Sequence, residues 1–170
     1  TLVWPEREGE TLRVKLGRLM RSIADLARIG DTARANVAWR GQIDAARLKS
    51  LTLLATNREM EARVALEPGG HQANGWSNGE IAGWLAQTEE ILVSSHWFQV
   101  ALQHATPRLS RSMVDAFAAF RNCAAAHLEW TASRFDRTPA DCPENDLIQA
   151  LAELDRCHQR TDPNQIAWLS

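Results

Sequence analysis

The sequence predicts an all-α fold: an antiparallel up-down bundle of four long helices with a short fifth helix. Three observations carry this. Apolar residues recur at alternating three- and four-residue steps over long stretches, the period of a helix with one buried face. Alanine and leucine are abundant, tyrosine is absent and runs of β-branched residues are missing, which favours helix over strand. All six prolines fall between the periodic stretches, where a helix must stop.

The first helix begins near Pro5, a residue suited to a first turn, with Glu6, Glu8 and Glu10 at its positive end. Leu12, Leu16, Leu19, Ile23 and Leu26 form its inward stripe, and Arg13, Lys15, Arg18, Arg21 and Arg28 lie largely off it. Gly30 is placed to end it and Asp31 to cap the next. The second helix, 32–66, is roughly 50 Å long at 1.5 Å per residue. Its stripe is Trp39, Ile43, Ala46, Leu53, Met60 and Val64, interrupted by Ser50 and Asn57. Glu67-Pro68-Gly69-Gly70 stops it and 68–76 is the main loop.

The third helix, 77–106, has the most marked ends. Ser77 and Glu80 have capping-box spacing, Trp76 and Ile81 that of a hydrophobic staple, and Pro107 follows. Ile81, Trp84, Leu85, Thr88, Ile91, Leu92, Ser95, Phe98, Leu102 and Ala105 form its stripe. Residues 91–107 carry no Asp, Glu, Lys or Arg, and Val93, Trp97 and Val100 make the far face apolar too. A helix apolar on both faces is buried or covered by a partner, so this helix is expected at the centre of the fold.

Thr106 and Pro107 can cap and open a fourth helix at once, and so short a link implies an antiparallel neighbour. Met113, Phe117, Phe120, Ala124, His127, Leu128 and Thr131 point inward, and fraying is expected near Phe135. A loop, 136–143, leads to a short fifth helix with Leu147, Leu151 and Leu154 inward, ended by Asp162-Pro163 and followed by an apolar tail, 166–169. Leu19, Leu92, Phe98, Phe117 and Phe120 are the expected core.

At 170 residues with 45% hydrophobic content, 1–170 reads as one domain with a sizeable core. The net charge of −2 argues against a nucleic-acid partner. No apolar run approaches the ~20 residues of a membrane span. The chain opens on Thr1 rather than Met, as expected of a piece of a larger protein. Cys123, Cys142 and Cys157 are odd in number and lack metal-ligand spacing, which reads as free thiols in a reducing compartment. Residues 1–50 hold ten Lys/Arg against six Asp/Glu, and 51–170 nine against fifteen. That asymmetry reads as two differently solvated faces, or as a basic segment close to an anionic membrane.

No nucleophile elbow, P-loop, dinucleotide fingerprint or paired E-x-x-H is present. Asp155 before His158 is a single weak D-x-x-H. His127 lies on a core stripe, and with Cys123 one turn before it reads as packing rather than catalysis. The expectation is therefore no metal, no cofactor and no enzyme. His96 and His104 share one face as surface or interface residues. Among seven tryptophans, Trp76, Trp84 and Trp97 on one helix could line a site for a small aromatic ligand, or else fill a core or a dimer seam. Trp84, Trp97, His96 and His104 are the candidate ligand or interface residues, and a homo-oligomer is expected.

One resemblance bears on function. Leu2-Val3-Trp4-Pro5 followed by Leu12-Arg13-Val14-Lys15-Leu16-Gly17-Arg18-Leu19 resembles the point where the fusaric acid resistance family, which includes the aromatic acid exporters, leaves its first membrane block. The stretch from Glu61 through Glu67-Pro68-Gly69 is similar to that family's helix ending in an acidic-Pro-Gly turn, and the hairpin 77–133 fits the same region. The resemblance implies a cytoplasm-facing helical domain of an inner-membrane efflux protein, beside transmembrane helices of the same protein, acting in assembly or gating. It carries over no catalytic or binding residue. The basic first helix agrees with the excess of Lys/Arg just inside a membrane, and Trp4 and Trp168 could be interface anchors. The competing expectations are a stand-alone bundle that senses a small aromatic ligand and a bundle enzyme with a metal centre.

Overall fold

The computed structural model describes residues 8–29, 37–66, 77–105, 109–138, 140–143 and 146–160, without the side chains at 8, 9, 37, 38, 78, 98, 101–105 and 146. Expectations for Trp4, Trp76, Thr106, Pro107 and Trp168 lie outside the described residues. Five α-helices are present, α1 (Glu8–Ile29), α2 (Val37–Val64), α3 (Asn78–Ala105), α4 (Arg111–Phe135) and α5 (Asp146–Gln159), and no strand occurs among the described residues.

The centre of the fold is α1, not α3. α1 packs extensively on both α4 and α2 and touches α3, whereas α3 leans mainly on α2, and α5 lies on α4. Leu12, Leu16, Leu19, Met20, Ile23, Ala24 and Leu26 are all at most 2% exposed. Its most exposed described residues are Glu10 and a strip through Arg18, Arg21, Asp25 and Arg28. The apolarity of α3 on both faces reads as burial, yet Val93 and Trp97 are exposed. The thin α3–α4 approach also removes the neighbour relation expected from the short link. α4 starts later than Pro107, at Arg111, because Ser110 caps it: the backbone there is extended and the hydroxyl accepts from the Met113 amide at 3.3 Å.

α2 meets α1 through a polar layer within an apolar stripe. The hydroxyls of Ser22 and Ser50, both buried, lie 2.9 Å apart. Asn57, also buried, donates to Leu53 O at 2.7 Å and to Lys15 O at 3.5 Å. Trp39 Nε1 donates to Ile29 O at 2.9 Å. Ser50 Oγ and Asn57 Nδ2 are thus partnered, as most buried polar groups are, while Asn57 Oδ1 has no hydrogen-bond partner among the described residues.

α4 meets α1 through small residues. A Cβ on Gly17 would stand 2.8 Å from Asp136 Oδ1 and 3.3 Å from Ala132 O. Ala24, two turns on along the same face of α1, and Ala125 and Ala132 on α4 are wholly buried. Arg21–Asp136 and Arg28–Glu129 ion pairs flank the contact, and Glu10 reaches both Arg13 and Arg137.

The buried face of α4 is therefore rotated from the expected one. Met113, Ala116, Ala125, Ala132, Ser133 and Phe135 are buried, while Phe117 and Phe120 are half-buried. Helix α4 does end at Phe135, but without fraying: that side chain is 2% exposed. On α5 Ala150 is buried, and Leu154 and Cys157 pack with Met113, Ala116 and Phe117. Leu151 faces water instead. Of the expected core, Leu19 and Leu92 are buried, and the Phe98 side chain is outside the described atoms.

Candidate functional site

The rotation of α4 leaves its larger side chains facing a gap. α3 leans on α2, away from α4, so a cleft of about 640 Å³ opens where α1, α3, α4 and the start of α5 meet. α1 lines it with Ile23, Leu26 and Ala27, α3 with Ile91, Ser94, Ser95 and Gln99, and α5 with Leu147. α4 lines it with Phe120, Arg121, Ala124, His127, Leu128 and Thr131. That volume lies within the range of small-molecule sites, and an apolar wall with a few polar groups is their usual make-up.

The polar groups are of one kind. Among the described residues no Asp or Glu lines the cleft, whereas Arg121 and His127 do. His127 Nε2 is buried and has no hydrogen-bond partner among the described residues. A buried polar atom left in this way can be satisfied by a bound molecule.

The candidate residues from the sequence do not converge here. Trp84 is half-buried and meets Phe135 edge-on, with centroids 5.8 Å apart. Trp97 is 67% exposed, and its ring lies 5.7 Å from that of its neighbour His96. His96 Nδ1 lies 2.6 Å from Arg47 Nη1. Because a guanidinium only donates, Nδ1 accepts and the ring proton sits on Nε2. His104 belongs to α3, and its side chain is outside the described atoms. Trp39 and Trp130 are spent elsewhere, the latter under the Arg134 guanidinium at 5.4 Å. No described tryptophan lines the cleft.

Apart from Arg121, which the sequence reading did not single out, the cleft residues of α4 belong to the inward stripe read from the sequence. What the stripe does not announce is that it faces a gap; the signal lies in its contrast with the small residues Ala125 and Ala132. Among the described residues no three His, Cys, Asp or Glu side chains gather as metal ligands would, and no helix is long and apolar enough to cross a membrane. None of the three cysteines is in a disulfide.

Fold and cleft together define a class, an all-α domain with an apolar cleft. Beyond that class, no protein-family model, no curated protein and no solved structure matches the chain.

Proposed function

We propose that this chain is a non-catalytic helical domain that binds a small, largely apolar molecule in the cleft between α1, α3, α4 and the start of α5. The cleft itself carries this reading, because an apolar wall holding an unpartnered imidazole nitrogen suits an amphipathic guest better than water. The four long helices alternate in direction in this proposal, supported by the order of contacts. Ile29 meets Trp39 and Lys15 meets Asn57; Arg58 meets Glu89 and Arg47 meets His96; Arg28 meets Glu129 and Glu10 meets Arg137. The test is saturable binding of a neutral apolar fluorophore, phenylnaphthylamine. One site is expected, closed by Ala124→Phe with helix content unchanged. Absence of saturable binding would remove this reading.

A second reading places this binding domain on the cytoplasmic face of an inner-membrane exporter of aromatic acids. It is supported by the Arg-rich α1 and by the sequence resemblance over 1–133. The full reading frame tests it, since membrane spans should directly precede Thr1. In either setting we infer self-association through the exposed α3 face that carries Val93 and Trp97.

A further inference from the structure

We propose that the ligand of this cleft is a neutral aliphatic alcohol, an apolar chain whose single hydroxyl is held at His127; this rests on the binding reading above. The wall argues for the chain. Ile23, Leu26, Ile91, Leu128 and Leu147 are aliphatic, and Phe120 carries the one benzene ring among the described lining residues. An aromatic guest gains from stacked or edge-on rings, and a wall with one such ring offers little of that. The α4 wall from Phe120 to His127 is roughly 10 Å long at 1.5 Å per residue. That is about the reach of an extended octyl chain.

The polar atoms argue for a hydroxyl. His127 Nε2 is buried and has no hydrogen-bond partner among the described residues. A buried polar atom left so costs free energy, and a guest that bonds to it removes the cost. Two further lining groups have fixed roles. Ser95 Oγ donates to Leu92 O at 2.9 Å, and Thr131 Oγ1 donates to His127 O at 2.9 Å. Their protons are spent within α3 and α4, so to a guest both oxygens can only accept. An alcohol suits such a wall because its hydroxyl both donates and accepts. It serves either tautomer of the imidazole. It donates to a bare Nε2, or it accepts from Nε2–H and donates to a hydroxyl oxygen of the wall. A ketone or an ether has no proton to give, and a carboxylate meets only acceptors at Ser95 and Thr131. Arg121 already has an interaction of its own, and a neutral guest needs no charge from it.

The experiment uses residues 1–170 with bound phenylnaphthylamine, displaced by octanol or by heptyl methyl ether, an isomer that accepts but cannot donate. Octanol is expected to displace the probe about fivefold more effectively, as one net hydrogen bond would give. Equal displacement would overturn the hydroxyl while leaving the cleft as a binding site. His127→Leu should weaken octanol about fivefold, with probe binding and helix content retained, and His127→Gln should keep part of the affinity. Octanol affinity that His127→Leu leaves unchanged would refute the assignment to His127. Octanoate acting at lower concentration than octanol would rule out a neutral guest. Probe binding that none of these compounds displaces would end the aliphatic class. No probe binding at all would instead remove the reading on which the class rests. A dimer that Leu147→Glu dissociates, with probe binding then uncovered, would assign the cleft to a second copy of the chain and overturn the proposal.

Discussion

The ring of Phe135, at the last residue of α4, meets the ring of Trp84 on α3 at 82°, with centroids 5.8 Å apart. The backbones of these helices barely approach, so two long aromatic side chains bridge what the helices leave open. This seals the end of the α1–α3–α4 junction that carries no cleft. Phe135→Ala should destabilise the fold by about 3–5 kcal/mol, the usual loss for a buried Phe whose site cannot collapse. In a double-mutant cycle with Trp84→Ala, urea unfolding should show a coupling of about 0.5–1.5 kcal/mol. A loss under about 1 kcal/mol for Phe135→Ala would show that its site collapses and that the bridge is dispensable.

Three helical glycines should answer the same substitution differently. Gly41 and Gly83 face open space, with no atom within 4 Å of an added Cβ other than the helix's own backbone. Gly41→Ala and Gly83→Ala should therefore stabilise by up to about 1 kcal/mol from helix propensity alone. At Gly17 the same gain is opposed by the Ala132 carbonyl and by Asp136, which is held by Arg21. Gly17→Ala should be neutral or destabilising. Thermal unfolding of the three variants side by side decides it, and an equal rise for all three would refute the close α1–α4 approach.

The Arg28–Glu129 pair gives an acid-side prediction. A hydrogen bond from Arg28 holds the Glu129 carboxyl below its ordinary 4.5, against a smaller effect of burial. A carboxyl lowered in the folded state adds stability that is fully present above 4.5 and is lost as the pH falls through the folded value. Glu129→Gln should thus be less stable than wild type at neutral pH, and the gap should close as pH drops below 4.5. Both groups are largely exposed, so the effect is small and should shrink in salt. A gap that stays constant down to acid would mean the pair contributes nothing.

Trp97 is exposed enough that a charge there will not disturb the core. In light scattering the wild type is expected as a dimer and Trp97→Glu as a monomer of unchanged helix content. A monomeric wild type at high concentration would leave α3 without a partner and remove the self-association proposal. Unfolding of the variant would show instead that Trp97 is structural.

Local pattern was legible in the sequence; partner choice was not. The stripe of α1 holds residue by residue, and that of α2 holds with Ser50 and Asn57 at their predicted places, except that Ala46 and Leu53 are half-buried and Leu54, outside the expected stripe, is buried. So does the capping box of α3: Glu80 accepts from the Ser77 amide at 2.6 Å and returns its own amide to Ser77 Oγ at 3.2 Å. Periodicity reports that a face is apolar, not which helix will cover it. The closest helix pair is built on Gly17, Ala24, Ala125 and Ala132, whose small side chains give little hydrophobic signal. Phe120, Ala124 and Leu128 give a strong one, yet they face a cleft. On α5, Leu151 looked inward by its leucine spacing, whereas Ala150 and Cys157 turn the buried face one residue away. For His96 the residue was found but not its partner, because Arg47 lies on another helix. The cleft has no signature in one dimension: it exists because α3 leans on α2 while α4 leans on α1.

The central position of α1 also sets an order in time. Its contacts with α2 close over a few tens of residues, but Arg28 and Glu129 are 101 residues apart in the chain, and Arg21 and Asp136 are 115 apart. Long-range contacts form late, so the first helix waits beside α2 with one face bare until the fourth arrives. That face is suited to waiting. It holds Gly17 and Ala24 rather than leucines, and Arg21 and Arg28 border it with like charge. A nascent chain displaying this surface offers little for another chain to adhere to, whereas the leucine stripe of the same helix is covered early.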